Sequence, residues 1–224
     1  SMKRMIKTNI LNTLKTFEIA NEINCKKYFC VSTDKAANPA NFMGATKRIM
    51  EHAIMRDESR CPVSMARFAN VAFSDGSLLD GFRNRLKLKQ PITAPIDIKR
   101  FFLTENEAGL ICLLSTLFAD GNQIAVPLAS EELTLTSFKQ ILINFLKLNG
   151  YEAKVCETEE EARCWFGQNK RKDIWPIYLF ESDTTGEKPF EEFYTKDEKL
   201  LVTKFKELGF VQFKPEFKIE ELKH

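Results

Sequence analysis

The sequence predicts an α/β protein built on a mostly parallel sheet. Two observations carry that prediction. Short apolar runs that end in small polar residues alternate with stretches of helical spacing along nearly the whole chain. Such alternation favours strands joined by helical crossovers. The chain also has 224 residues, 44% apolar and 29% charged, enough to bury a sizeable core and ordinary for a globular protein.

The elements follow in order. Asn9 to Ala20 has helix spacing, with Ile10, Leu14, Phe17 and Ala20 toward one face. After Lys26 and Lys27, YFCVS reads as a buried strand. Asn38-Pro39 marks a turn, and Phe42 to Met55 reads as a helix. Val63 to Phe73 reads as the next strand, followed by the loop SDGS. Leu78 to Leu88 is helical, PITAPI extended, Asn106 to Phe118 helical, and QIAVP a strand. Ser137 to Leu148 is a helix stopped at Gly150. Ala153 to Cys156 is a strand, and Thr158 with Glu161 forms a capping box for the helix that follows. WPIYLF is a further strand, and Lys196 to Leu208 a last helix. There is no internal repeat or low-complexity linker, and WPIYLFESDTTGEKPFEEF marks a lobe boundary.

Composition narrows the function classes. With 33 basic and 31 acidic residues the net charge is +2, which gives no reason to expect nucleic acid or an anionic membrane surface. A few local cations suffice for a compact anionic ligand. The six cysteines contain no CxxC, and only His52 and His224 are available to complete a metal site. They read as small apolar residues in a reducing cytosol, not as a disulfide framework or a zinc site. Leu110 to Ala119, the longest nearly apolar run, is far too short to span a bilayer. No signal region follows the charged N-terminus. The nine glycines form no GxGxxG and no Walker loop.

One junction concentrates reactive groups. Ser32, Thr33, Asp34 and Lys35 directly follow the strand YFCV, where open parallel sheets bind ligands. Met43 and Lys47 are four apart on a helix and share a face. A ligand site and a solvated loop with a surface lysine fit this spacing equally well.

STDKAANPANFMGATKR resembles the extended short-chain dehydrogenase/reductases. More narrowly, it resembles the UDP-N-acetylglucosamine 4,6-dehydratase group of polysaccharide biosynthesis proteins, whose pattern is STDKA, then NP, then YGATK or MGATK. KTNILNT, RFANVAFSDGSLL, IKRFFLT and TTGEKPFEEFYT resemble further stretches of that group, in the same order. The resemblance covers most of the chain. It implies an incomplete Rossmann-like parallel sheet, the C-terminal half of a dinucleotide fold, plus a smaller α/β substrate-binding lobe. Residues 1–73 would form the first and residues 74–224 the second, with some elements returning to the Rossmann sheet. The glycine-rich cofactor loop of the family lies upstream of the KTN helix, so the chain is expected to be the C-terminal part of a longer enzyme.

The resemblance also implies chemistry. The family reaction moves a hydride from C4 of the sugar to NADP (or NAD), removes water across C5 and C6, and returns the hydride to C6. Asp34 is then the acid at the C6 hydroxyl and Lys35 the base at C5, with Thr33 beside them. A free aspartate is ionised at neutral pH and a free lysine protonated, so both roles call for an environment that disfavours charge. Most relatives carry a tyrosine at Met43 that takes the C4 hydroxyl proton. A thioether cannot do so. Thr33, Lys47 or a water could serve instead, or Met43 simply packs against the cofactor ring while Lys47 holds the ribose. Asn9, Ser32, Lys47, Phe68 and Asn70 are the implied cofactor contacts. Asn70, Ser74, Ser77, Leu78 and Arg100 are the implied sugar-nucleotide contacts, although a turn-forming Asn70 and a surface ion pair at Arg100 are the plainer alternatives. Gly186, Glu187 and Lys188 read as structural or interfacial. The expected partner is a UDP-N-acetyl-hexosamine, in the bacterial cytoplasm, with no nucleic acid and no membrane insertion. The exposed strand edges of an incomplete sheet favour a homo-oligomer. The alternatives are a catalytically inactive fragment and a related sugar-nucleotide epimerase or reductase; a 4-epimerase has no need of the Asp-Lys pair.

Overall fold

The computed structural model describes residues 1–55, 61–68, 70–128, 135–168, 171–182, 191–201, 203 and 205–215. Its helices are α1 (Met2–Met5), α2 (Thr13–Glu22), α3 (Phe42–Ile54), α4 (Leu78–Lys87), α5 (Glu105–Phe118), α6 (Phe138–Leu148) and α7 (Glu159–Gln168). A π-helical stretch, Ile6–Asn12, joins α1 to α2, and a 3₁₀ turn spans Asp34–Ala36. The strands are β1 (Tyr28–Val31), β2 (Val63–Ala66), β3 (Asn70–Val71), β4 (Ile92–Pro95), β5 (Lys99–Arg100), β6 (Phe102–Leu103), β7 (Gln123–Pro127), β8 (Thr136–Ser137), β9 (Glu152–Cys156), β10 (Ile174–Phe180), β11 (Lys199–Leu201) and β12 (Leu208–Gln212).

The chain folds as two compact units. The first comprises Ser1–Ala69, Asn106–Thr134 and Gly186–His224. It contains a five-stranded sheet in the order β1-β2-β7-β12-β11. β1, β2 and β7 are parallel, whereas β12 and β11 run antiparallel to their neighbours. Side chains alternate between the two faces. Cys30 lies opposite Met65 in the ladder, and its sulfur is 3.7 Å from Met50 Sδ, so α3 covers that face. Ala66, Ala125 and Phe210 line the other face, where Ile111 and Leu114 of α5 pack on them. Ser115 Oγ fastens α5 by donating to the Met65 carbonyl at 2.8 Å.

The second unit comprises Asn70–Glu105 and Leu135–Thr185. Its three-stranded sheet, β4-β10-β9, is parallel. Leu79 and Phe82 of α4, with Leu142 and Leu146 of α6, pack on Ile92, Ala94, Trp175 and Ile177 to form its core. Two small ladders, parallel β3-β6 and antiparallel β5-β8, complete the unit. Gly150 ends α6 at φ 82°, as the sequence predicts. Thr158 caps α7, accepting from Glu161 N–H at 3.0 Å, and the Glu161 carboxylate accepts from Glu157 N–H at 2.7 Å.

Three elements differ from expectation. The predicted helix from Lys196 to Leu208 is absent among the described residues; β11 stands there and pairs antiparallel with β12. Leu200 opposes Val211 and Leu201 opposes Phe210, so pairing buries apolar residues that an isolated helix would leave in water. The predicted strand from Val63 to Phe73 is two strands in different sheets. The strand YFCV is only half-buried, with Val31 exposed, because it occupies the sheet edge.

Candidate active site

The site grows from the carboxyl end of β1. Ser32 extends the ladder by donating its N–H to the Ala66 carbonyl at 2.8 Å. Thr33 is extended and caps the 3₁₀ turn. Its hydroxyl accepts from Lys35 N–H at 3.4 Å and donates to Asp34 Oδ1 at 2.7 Å. Ala36 and Ala37 are buried, which anchors the turn. The Asp34 carboxylate is buried, and the Lys35 ammonium, 39% exposed along its side chain, stands 3.6 Å from it.

The next helix locks against this turn. Asn41 caps α3, its Oδ1 accepting from Gly44 N–H at 2.9 Å. Gly44 lies so close to the Lys35 backbone that a β-carbon would overlap the Lys35 carbonyl oxygen. From α3, Lys47 reaches the end of β1 and donates to the Val31 carbonyl at 2.9 Å. Asn9, in the π-helical stretch, donates to Thr46 Oγ1 at 3.0 Å. The Thr46 hydroxyl in turn donates to the Met43 carbonyl at 2.9 Å. Asn9, Ser32, Thr33, Asp34, Lys35, Met43 and Lys47 therefore sit on the first unit, around the junction of β1 and α3.

Sequence reasoning missed what lies beneath this junction. Ser32 Oγ donates to Glu51 Oε1 at 2.5 Å. Arg67, fully buried, forks onto the same carboxylate through Nε at 2.8 Å and Nη2 at 2.7 Å. Arg67 also bonds both oxygens of Glu198, at 2.7 and 2.8 Å, and the Phe193 carbonyl at 3.1 Å. Arg48 meets Glu198 at 2.6 Å. Two cations thus face two carboxylates. Burial alone would raise the Glu198 carboxyl, but the Arg67 hydrogen bonds and charge, then Arg48 and Thr195 N–H, outweigh it and bring the pKa down to about 2. Burial disfavours the Arg67 charge, and the charge and hydrogen bonds of Glu51, then those of Glu198, reverse that and raise its pKa. One signal was legible: Glu51 is four residues after Lys47 and shares its helical face.

The remaining predicted contacts make local interactions. Phe68 packs against the cluster containing Ala66 and Ala125. In the second unit, Asn70 Nδ2 reaches the Phe101 carbonyl at 3.4 Å, and Arg100 Nη1 donates to the Lys99 carbonyl at 2.8 Å. Ser74 closes a turn by donating its N–H to the Val71 carbonyl at 3.3 Å. Ser77 caps α4, accepting from Asp80 N–H at 3.1 Å, and Leu78 begins that helix partly exposed. Gly186, Glu187 and Lys188 lie outside the described residues. Among the described residues no cluster of histidine, cysteine and carboxylate could hold a metal, and no helix is long and apolar enough to cross a membrane.

The polar turn of Ser32 to Lys35 thus lies beyond the carboxyl end of a parallel strand, the place where open α/β sheets bind ligands. The chain belongs to the family described as polysaccharide biosynthesis protein, whose sequence profile matches residues 1–212. It is 32% identical over 197 residues to the capsular polysaccharide biosynthesis protein CapD of Staphylococcus aureus, covering 86% of this chain and 29% of CapD. The X-ray structure of Pen from Bacillus thuringiensis superposes with a TM-score of 0.67 at 25% identity, covering 91% of this chain and 57% of Pen. The Bordetella bronchiseptica enzyme WbmG, crystallised with NAD and UDP, has a TM-score of 0.55 at 18% identity, covering 84% of this chain and 57% of WbmG. The chain thus spans under a third of CapD and a little over half of Pen.

Proposed function

We propose that this chain carries the elimination machinery of an NADP-dependent UDP-N-acetyl-hexosamine 4,6-dehydratase, with UDP-N-acetylglucosamine as substrate. The product is a 4-keto-6-deoxy sugar nucleotide for polysaccharide synthesis in the cytoplasm. The observation that carries the reading is the pairing of Asp34 and Lys35, 3.6 Å apart in one turn at the carboxyl end of β1. Loss of water across C5 and C6 needs an acid and a base on one substrate, and this turn offers both within reach of adjacent carbons.

The residues divide the work. One proton must first pass from the Lys35 ammonium to the Asp34 carboxylate, 3.6 Å away, leaving a neutral amine and a carboxylic acid. The Lys35 amine then takes the C5 proton, and the Asp34 carboxyl gives its proton to the departing C6 hydroxyl, which leaves as water. Thr33, already bonded to Asp34, orients the carboxyl. When bound, the nicotinamide supplies the hydride acceptor and donor for C4 and C6. The chain's residues fit the ribose end of such a cofactor. Lys47 donates to the Val31 carbonyl and, weakly, to Met50 Sδ, which leaves its third N–H for a ribose hydroxyl. For the pyrophosphate, this sequence has no glycine loop of the GxGxxG kind. WbmG, of the same fold, holds NAD and UDP, which supports a nicotinamide and a uridine nucleotide as the ligand pair. In the second unit, Arg100 and Asn70 are the proposed diphosphate contacts.

The test is calorimetric titration of the chain with NADP and with UDP-N-acetylglucosamine, singly and together. Saturable binding of the sugar nucleotide, abolished in Arg100→Ala, is the expected result. No binding of either ligand, alone or together, would refute a ligand-competent site on this chain.

A further inference from the structure

We infer that Glu51 is a positioning residue: through Ser32 it fixes the Thr33–Lys35 turn, and Arg67 with Glu198 holds Glu51 in place. The inference rests on the proposed function only for what the turn does, and not for how the turn is held.

Four observations converge. Ser32 Oγ donates to Glu51 Oε1 at 2.5 Å, directly before the reactive turn. Glu51 is wholly buried, and Arg67 engages both of its oxygens, so the carboxylate has no freedom to rotate away from Ser32. Glu198 binds Arg67 and Arg48 together and accepts from Thr195 N–H at 3.0 Å, which ties the Phe193–Glu198 segment into the same network. Directly before that segment, Glu192 accepts from Asn38, just past the turn, at 3.2 Å. The turn is therefore held from beneath by a charge-assisted chain and at its far end by a residue adjoining the same C-terminal segment.

Chemistry explains why such a support is useful. Acid and base must meet adjacent carbons of one sugar, and small displacements at either group are costly. Lys35 is partly exposed and its ammonium stands at the end of a long side chain, so its backbone has to be fixed for the ammonium to be aimed. A buried ion network loses much when one partner is removed, because the remaining charges are left uncompensated. Residues 32–37 would then loosen whenever Glu51 or its clamp is altered.

The experiment is amide hydrogen exchange resolved by residue on the full chain without ligand, for Glu51→Gln and Ser32→Ala. Ser32→Ala cuts only the link to the turn and leaves Arg67 and its carboxylates intact, so it reports even where Glu51→Gln fails to fold. Exchange at residues 33–37 is expected to rise about tenfold in Ser32→Ala, with β9 and β10 unchanged. Unchanged exchange at the turn, or an equal rise across the whole chain, would overturn the inference. Titration with UDP-N-acetylglucosamine then separates the two readings. If the wild type binds no sugar nucleotide but the turn loosens as expected, the function fails and the positioning role stands. If the wild type binds and the turn is unmoved, the reverse holds.

Discussion

Gly44 on α3 packs against the backbone carbonyl of Lys35 with no room between them for a β-carbon. The reactive turn and the helix that carries Met43 and Lys47 are held together at this point by backbone contact alone. Gly44→Ala is expected to push the turn off the helix and to destabilise the first unit by about 1–3 kcal/mol, as overpacking typically does. Urea unfolding measures the loss, and a stability equal to wild type would show that the turn can yield at no cost.

Acid stability should report the buried network. The Glu198 pKa is about 2 in the folded chain, against an ordinary 4.5. A lowered carboxyl contributes stability that is fully present above the ordinary value and is lost as pH falls through the folded one. The contribution is of the order of 3 kcal/mol, vanishing between pH 4.5 and about 2. Glu198→Gln should be less stable than wild type at neutral pH and should show a shallower decline across that window. Unfolding curves collected from pH 7 down to pH 2 distinguish this from a network that contributes nothing.

Asp34→Asn and Lys35→Ala should each slow water loss by about a hundredfold or more in a protein that contains this chain and binds both ligands, the usual cost of removing an acid or base. Binding of the sugar nucleotide should be little changed. Formation of the 4-keto-6-deoxy sugar nucleotide, followed by the mass of the lost water, is the readout; normal rates in both variants would remove these residues from the chemistry.

The second unit depends on its central strand. Ile177, on β10 between β4 and β9, is fully buried. Ile177→Ala should cost about 2–5 kcal/mol through lost transfer energy and the cavity left behind. Thermal unfolding followed by Trp175 fluorescence, a reporter in the same core, checks it.

Much of this fold was legible because its elements are locally consistent. α3, α4, α6 and β10 begin and end within a residue or two of where periodicity, caps and turns put them. The reactive turn was legible for a similar reason, since its residues are contiguous and need only one strand end to place them. Glu51, Arg67 and Glu198 were not. They come from separate elements of the chain, Arg67 fell in a predicted strand without a partner to pair with, and Glu198 fell in a segment whose apolar spacing suited a helix.

By itself the sequence determined the α/β class, the order of most elements, and the placement of Asp34 and Lys35 immediately after a strand. Those are consequences of local periodicity and of neighbours in the chain. Only the tertiary structure decided that Leu200 and Leu201 join a sheet, that β1 lies at its edge, and that Ser32 rests on a buried carboxylate clamped by arginines. Each of those outcomes depends on pairing or desolvating groups distant in sequence. The free energy of such contacts exists only once the partners meet, and no local pattern encodes it.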